Sequence, residues 1–302
     1  MNKKKILILG KLSITFIIIL LLVNNVDFEK IVKSFELSNQ KYMILAILLL
    51  PLNISTQILK WKTVVNSVDN TISFKKIISS SFIGIALGFI TPGKTGEMAK
   101  FLLINSPKRV EIAGGTFYEK LLDMIWIPLF GIISLITIIP RISSNELYGR
   151  VVLPLLILIS IPFLGLIIYN IFKSKIKESY RLTLNKLLGF YKIAGRKQFF
   201  KLSLLSLMLY LIYTLQLSLI IKSMSETTIL TAINISIFSI LIKSLLPISF
   251  GDIGVREGAT AFTMTLFNLP FEIGVLAGFL LFTTNVIIPS TIGVIILLKG
   301  KN

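Results

Sequence analysis

The sequence predicts an all-α polytopic membrane protein: six full transmembrane helices plus two broken re-entrant helical hairpins in an inverted repeat. Three observations predict it. First, 54% of the 302 residues are hydrophobic and the mean hydropathy is +0.85. A soluble domain of that balance would expose large apolar patches, and helices are the default way to satisfy a backbone inside lipid. Second, two apolar segments, 77–90 and 229–242, each end in a Gly-rich, charged break. Third, Lys and Arg collect in alternate loops, which places them on one side of the predicted spans.

The breaks organise the chain. Residues 245–258 read L-L-P-I-S-F-G-D-I-G-V-R-E-G, and residues 91–97 read T-P-G-K-T-G-E. Each preceding apolar segment has 14 residues. At about 1.5 Å per helical residue it rises roughly 21 Å, short of a hydrocarbon core of about 30 Å. Aligning Gly93 with Gly251 and Gly96 with Gly254 gives G-x-x-G followed by Glu97 or Glu257, with Val255 and Arg256 extra in the second copy. Short apolar segments broken by Gly or Pro in matching places of two halves point to a transporter-type site.

Cys and His are both absent. That excludes disulfides, thiol nucleophiles, His bases and the usual zinc or haem sites, so no metal and no cofactor is expected. The formal charge of +18 fits the positive-inside rule and not nucleic-acid binding. One membrane domain, 1–302, is expected, with halves of about 1–150 and 151–302.

Along the chain, lysines 3–5 precede an apolar run, 6–23, with no cleavage pattern after it. It reads as a retained first span with the N-terminus inside. Residues 26–41 read as an outer loop or interfacial helix. Residues 42–59 form the second span, with Asn53 and Gln57 inside it, and Lys60, Lys62, Lys75 and Lys76 mark an inner loop. The first hairpin, 77–105, enters from and returns to the inner face. A long helix, 111–139, carries Glu119, Lys120 and Asp123. After an outer loop, 141–150, and a span, 151–171, comes the most basic segment, 172–201, with nine Lys/Arg against one Glu. It reads as an amphipathic helix on the inner leaflet or a solvated inner loop. Residues 202–221 span outward, and 222–228 is a short outer loop. The second hairpin, 229–269, enters from outside, and 273–298 spans back to an inner C-terminus. On this topology 20 of the 32 Lys and Arg lie inside and six outside.

A charge at the bilayer centre costs about 2.5–3.5 kcal/mol on insertion scales. Lys94, Glu97, Glu119, Lys120, Asp123, Lys243, Asp252, Arg256 and Glu257 must therefore pair or line a wet cavity. Pro92, Gly93, Gly96, Gly251 and Gly254 shape the breaks. A broken helix presents free N–H groups and a positive dipole end, which favour an anion. Lys94 and Arg256 add full charge, and Arg can hold a phosphate in a bidentate fork. Glu97 and Glu257 are expected to orient these cations when no ligand is bound, or to interact with a cationic part of the ligand. The two breaks are expected to meet at mid-membrane, with Glu97 near Arg256, and Lys94 near Asp252 or Glu257. Glu119 and Asp123 share a helix face. The whole set reads as a lipid-phosphate site or as structural ion pairs. Gly84/Gly88 and Gly274/Gly278 read as helix-packing pairs.

Three segments carry a family resemblance: P-G-K-T-G-E at 92–97, Y-E-K-L-L-D at 118–123, and P-I-S-F-G-D-I-G-V-R-E-G at 247–258. They resemble the signature segments of the flippase-like, lysylphosphatidylglycerol synthase transmembrane family, over about 6–298. The resemblance implies a lipid-translocating domain with inverted re-entrant hairpins. Lys94 and Lys120 stand where that family often has Arg, and Phe250-Gly251-Asp252 where it often has Pro-Gly-Gly. The soluble aminoacyl-transferring domain of multidomain members is not in this chain, so synthesis of an aminoacylated lipid is not expected of it.

The expected function is a plasma-membrane lipid flippase with both termini cytoplasmic. Its partners are the bilayer and an anionic phospholipid or polyprenyl-linked lipid, whose head group enters a polar midplane cavity between the hairpins. One alternative is a membrane-embedded lipid-modifying transferase using Glu119, Asp123 or Asp252 as base. Another is an accessory subunit that anchors a cytoplasmic glycosyltransferase through 172–201.

Overall fold

A computed structural model of the chain describes residues 26–91, 93–139, 189–246, 249 and 252–299, with positions 13, 16, 17, 19, 20 and 24. Most of the predicted span 6–23, the span 151–171, most of the basic segment 172–201, and Pro92 and Gly251 lie outside the described residues. Every regular element among the described residues is helical. Four stretches are long and apolar enough to cross a membrane: Gln40–Val68, Arg109–Ile138, Phe190–Met224 and Phe271–Lys299.

Helix α1, Phe28–Glu36, buries none of its residues. Asp27 caps it, accepting from the backbone N–H groups of Glu29 and Lys30 at 3.0 and 3.3 Å. Phe28, Val32 and Phe35 fall on one exposed face, the pattern of an interfacial helix. Helix α2, Gln40–Val68, runs nine residues beyond the predicted end at 59. Lys60 and Lys62 lie within it, not in a loop. The reason is pairing: Lys60 is 1% exposed and neutralised by acids on a neighbouring helix, so its charge does not stop the helix. Lys62 covers the Phe74 ring at 4.8 Å.

Helix α3, Phe74–Phe89, starts at the Ser73 cap and folds back as a 3-10 helix, Thr95–Leu103. Between them Gly93 and Lys94 are left-handed, with φ of 58° and 56°. Thr91 holds the turn: its hydroxyl donates to the Leu87 carbonyl at 2.9 Å and accepts from Gly96 N–H at 2.6 Å. A Cβ on Gly96 would strike the Leu87 carbonyl oxygen. Gly84 and Gly88 let the returning arm close, since added Cβ atoms would meet Lys100 at 2.9 Å and Glu97 at 3.2 Å.

Helix α4, Arg109–Ile138, packs on α2, on the 3-10 arm and on α5, Phe190–Met224. Helix α5 begins twelve residues before the predicted 202, and Gly195 (φ 72°) kinks it. The kink turns Phe190 inward, fully buried, against Tyr118 at 5.8 Å between ring centroids. Residues 190–201 are thus helix and not loop. Helix α6, Ile229–Leu245, is capped by Thr228. It is followed by α7, Val255–Leu266, after a turn in which Asp252 and Gly254 have φ of 64° and 80°.

The last stretch divides into α8, Phe271–Phe282, a π turn, Thr283–Ile287, and α9, Ile288–Lys299. Pro289 lacks the N–H that an α-helix would donate to residue 285, which accounts for the irregular turn before it. Gly274 and Gly278 face α7, and Gly293 brings α9 onto the Phe82 carbonyl of α3. Both predicted Gly pairs are therefore close-packing positions. One apolar core joins α5, α6, α7 and α8; a second lies around Trp61, Ile112 and Phe190.

Asp69 ties the end of α2 to the start of α4. Its carboxylate accepts from the Ser106 and Thr71 hydroxyls, each at 2.6 Å, and from Thr71 N–H at 3.1 Å. These bonds, Ser106 first, hold its pKa below the usual carboxylate value. A lowered folded pKa stabilises above the unfolded value, and the gain is lost as pH falls through the folded one. Asp69→Asn is expected to lower the Tm at pH 7, with the gap to wild type narrowing below about pH 4. A gap independent of pH would assign the effect to something other than the ionised carboxylate.

Candidate functional site

The two breaks meet. Gly93 N–H donates to the Ser249 carbonyl at 3.2 Å, a backbone bond between the first turn and the second. Lys94 reaches across the same junction to Asp252, with Nζ 3.8 Å from Oδ2. Asp252 also receives Lys243 at 3.0 Å and Arg256 at 3.8 Å. Three cations from three elements thus converge on one carboxylate, itself 5% exposed.

Glu97 does not pair with Arg256. It accepts from Lys120 Nζ at 2.9 Å. In the 3-10 arm, residues three apart eclipse, so Glu97 and Lys100 both face α4. There they meet Lys120 and Glu119, which are adjacent in sequence. Lys100 donates to both Glu119 oxygens, at 3.0 and 2.9 Å, and lies over the Trp61 ring at 4.7 Å. Lys60 lies 3.9 Å from Glu119 and hydrogen-bonds Asp123. The set Lys60, Lys100, Lys120, Glu97, Glu119 and Asp123 is charge-balanced.

Arg256 is 2% exposed and covers the Phe282 ring at 4.9 Å. It stands behind Asp252, outside the cavity wall. Glu257 lies 4.0 Å from it, but its other oxygen accepts from Gly254 N–H at 2.7 Å. That caps α7 in place of a ligand. The insertion of Val255 and Arg256 explains the difference from Glu97: it moves the Glu to the third helical position, where it reaches back to the turn.

A cavity of about 220 Å³ lies beside the junction. Lys94, Glu97, Glu119, Lys120, Asp123 and Lys243 line it, as do several residues the sequence pattern did not single out for the site: Lys60, Asn53, Gln57, Ser206 and Asn285. Asn53, Gln57 and Lys60 recur at helical spacing on one face of α2. That stripe was the available signal. Gly93, Gly96 and Gly254 shape the turns, and Asp252, Arg256 and Glu257 form the layer behind the wall.

Residues 8–293 match the family described as the lysylphosphatidylglycerol synthase TM region. The chain belongs to that family. It is similar to UPF0104 membrane protein PH1989 of Pyrococcus horikoshii, 26% identical over 191 residues, which is 61% of this chain and 53% of that protein. The match thus spans about half the length of the Pyrococcus relative. UPF0104 membrane protein MJ1595 of Methanocaldococcus jannaschii is 23% identical over 96% of this chain and 94% of its own.

Removing one member of a buried pair strands the other charge, which costs about 3–5 kcal/mol, whereas an apolar replacement of both is close to neutral. Glu119→Leu is therefore expected to destabilise the detergent-solubilised protein strongly, and Lys100→Met/Glu119→Leu to recover most of the loss. Unfolding monitored by intrinsic fluorescence checks this. Equal losses in the single and double variants would show that Lys100 is not Glu119's counter-ion.

Proposed function

We propose that this protein is a lipid translocase of the plasma membrane, moving an anionic lipid head group between leaflets through the cavity beside the two breaks. The observation that carries the reading is the junction itself: Lys94, Lys243 and Arg256 held together by Asp252. Five ionic side chains gather there, three cations against Asp252 and Glu257, so positive charge is in excess. In a low-dielectric setting that excess favours a phosphate. Asp252 acts as a stand-in anion. When a lipid phosphate arrives it takes over the Lys94 and Lys243 contacts, and Asp252 recaptures them on release. Uniformly tight binding would stall transport, and an internal competitor keeps the phosphate exchangeable.

In this reading the chain has six full spans and two re-entrant hairpins, with both termini cytoplasmic. Helix α3 has 16 residues and α6 has 17, about 24 and 26 Å at 1.5 Å per residue. Both fall short of a hydrocarbon core of about 30 Å, which supports hairpins that turn back at depth. The acyl chains stay outside, along a groove of about 380 Å³ lined only by apolar side chains of α2 and α5, among them Leu49, Leu52, Met208 and Leu211. The same two helices also contribute to the cavity wall.

Reconstitution tests the reading. Proteoliposomes are expected to move fluorescent anionic phospholipids across the bilayer faster than phosphatidylcholine. Asp252→Asn is expected to bind the anionic lipid more tightly and turn it over several-fold more slowly. No transport of any lipid above protein-free vesicles removes the function; unchanged affinity in Asp252→Asn removes the stand-in role. For the topology, a Cys at Ser225 is expected to react with an impermeant thiol reagent from outside, and one at Ser174 only after lysis. Labelling of position 174 in intact cells contradicts the inverted arrangement.

A further inference from the structure

The last span links the two breaks mechanically. Its first half, α8, packs backbone to backbone on α7, the arm that follows the second break. A Cβ on Gly274 would strike the Ala261 Cα, and one on Gly278 would lie 2.8 Å from the Glu257 Cα. Its second half, α9, packs on α3, the arm that precedes the first break. A Cβ on Gly293 would strike the Phe82 carbonyl oxygen and lie 3.1 Å from the Ala86 Cβ. Contacts that close leave no slack within either pair. Helices α7 and α8 therefore form one body, and α3 and α9 another.

The π turn, Thr283–Ile287, is the piece of chain between these bodies. Ile288 N–H donates to the Thr283 carbonyl, five residues back, and Pro289 has no N–H with which to resume the α-helical pattern. The Thr283 hydroxyl donates to the Phe279 carbonyl at 3.0 Å, and the Thr284 hydroxyl to those of Leu280 and Leu281 at 3.0 and 3.1 Å. Such bonds bend a helix, and π turns and prolines are where helices kink. The Asn285 side chain holds the turn to the rest of the fold. It donates to Gln216 Oε1 on α5 at 2.7 Å, and Gln216 donates to the Ala46 carbonyl on α2 at 3.0 Å. The two bodies meet through contacts that can part and re-form: the Gly93–Ser249 bond, the Lys94–Asp252 pair, and the Phe89 and Phe282 rings, 5.9 Å apart between centroids.

We propose that the π turn is a hinge about which the α7–α8 body tilts relative to the α3–α9 body, with the Asn285–Gln216 bond as its latch. Helices α8 and α9 have 12 residues each, about 18 Å at 1.5 Å per residue. A tilt of about 20°, the size of a sharp kink, swings the far end of such a helix by roughly 6 Å. That motion opens or closes the junction of the two breaks without unpacking either glycine contact. It does not depend on what the cavity holds, nor on whether anything is transported.

The chain has no cysteine, so introduced thiols are labelled cleanly. Spin labels at Lys76→Cys and Thr265→Cys report the distance between the bodies. Lys76→Cys with Leu298→Cys, and Thr265→Cys with Phe279→Cys, report distances within them. Asn285→Leu/Gln216→Leu removes both partners of the latch together, so neither strands the other. In the full-length protein in lipid nanodiscs, the between-body distance distribution is expected to widen by roughly 6 Å in that variant. The within-body pairs are expected to stay as in the wild type. Adding Pro289→Ala restores a helix donor and is expected to narrow the distribution again. No widening, equal widening of all three pairs, or no response to Pro289→Ala overturns the hinge. Amide exchange on the unmodified protein is the arm that needs no variant. Residues 284–288 are expected to exchange about tenfold faster than the flanking amides of α8 and α9. Equal protection along the whole span overturns the hinge, even where the latch variant fails to fold.

Discussion

Charge that lipid cannot solvate must be neutralised by the protein, and the elements around the two breaks are arranged by that requirement. Helices α2, α4, α6 and α7 and the 3-10 arm each contribute ionic side chains to one region, where the first break touches the second through Gly93 and Ser249. The pairing is not symmetrical. The first set balances its charges internally and fixes the 3-10 arm on α4. The second leaves Asp252 among three cations, so one half of the site is charge-balanced and the other carries an excess of positive charge. The placement of Arg256 agrees with this division: its guanidinium is shielded by Phe282 and raises the local potential from behind the wall.

Much of this was legible in the sequence, because the chain breaks are local and have few solutions. Gly, Pro and charge in a short apolar context announce a turn inside a membrane protein, and two such turns in matching places announce their partnership. That alignment put Lys94 near Asp252 or Glu257, and the contact made is with Asp252. The small-residue pairs were readable for the same reason, since Gly84, Gly88, Gly274 and Gly278 recur at helical spacing.

Other features depend on contacts that span the fold. Lys60 looks like the end of a span until Asp123 and Glu119, some sixty residues away, are placed beside it. The partner of Glu97 depends on whether the returning arm is a 3-10 or an α-helix, and apolar periodicity does not distinguish the two in nine residues. Asn53, Ser206 and Asn285 are unremarkable as single polar residues in apolar helices. They become a group only when α2, α5 and the π turn enclose the same space. Gly195 lies in a basic stretch whose composition suggests a loop; its positive φ lets the helix continue on either side and Phe190 turn inward.

The returning arm of the first hairpin has a geometric consequence of its own. Nine residues in 3-10 form, Thr95–Leu103, advance roughly 18 Å at about 2.0 Å each. The same residues as α-helix advance roughly 13.5 Å at about 1.5 Å each. The arm therefore holds about 4.5 Å of axial travel, close to one α-helical turn, that rewinding alone releases without moving α3. Rewinding also changes the angle between residues three apart by about 60°, since each step turns about 120° in one form and about 100° in the other. Glu97 and Lys100 would then no longer face α4 together. Length and ionic pairing are coupled in this one segment, so any shortening of the arm by rewinding would also open the Lys120 or Glu119 contact.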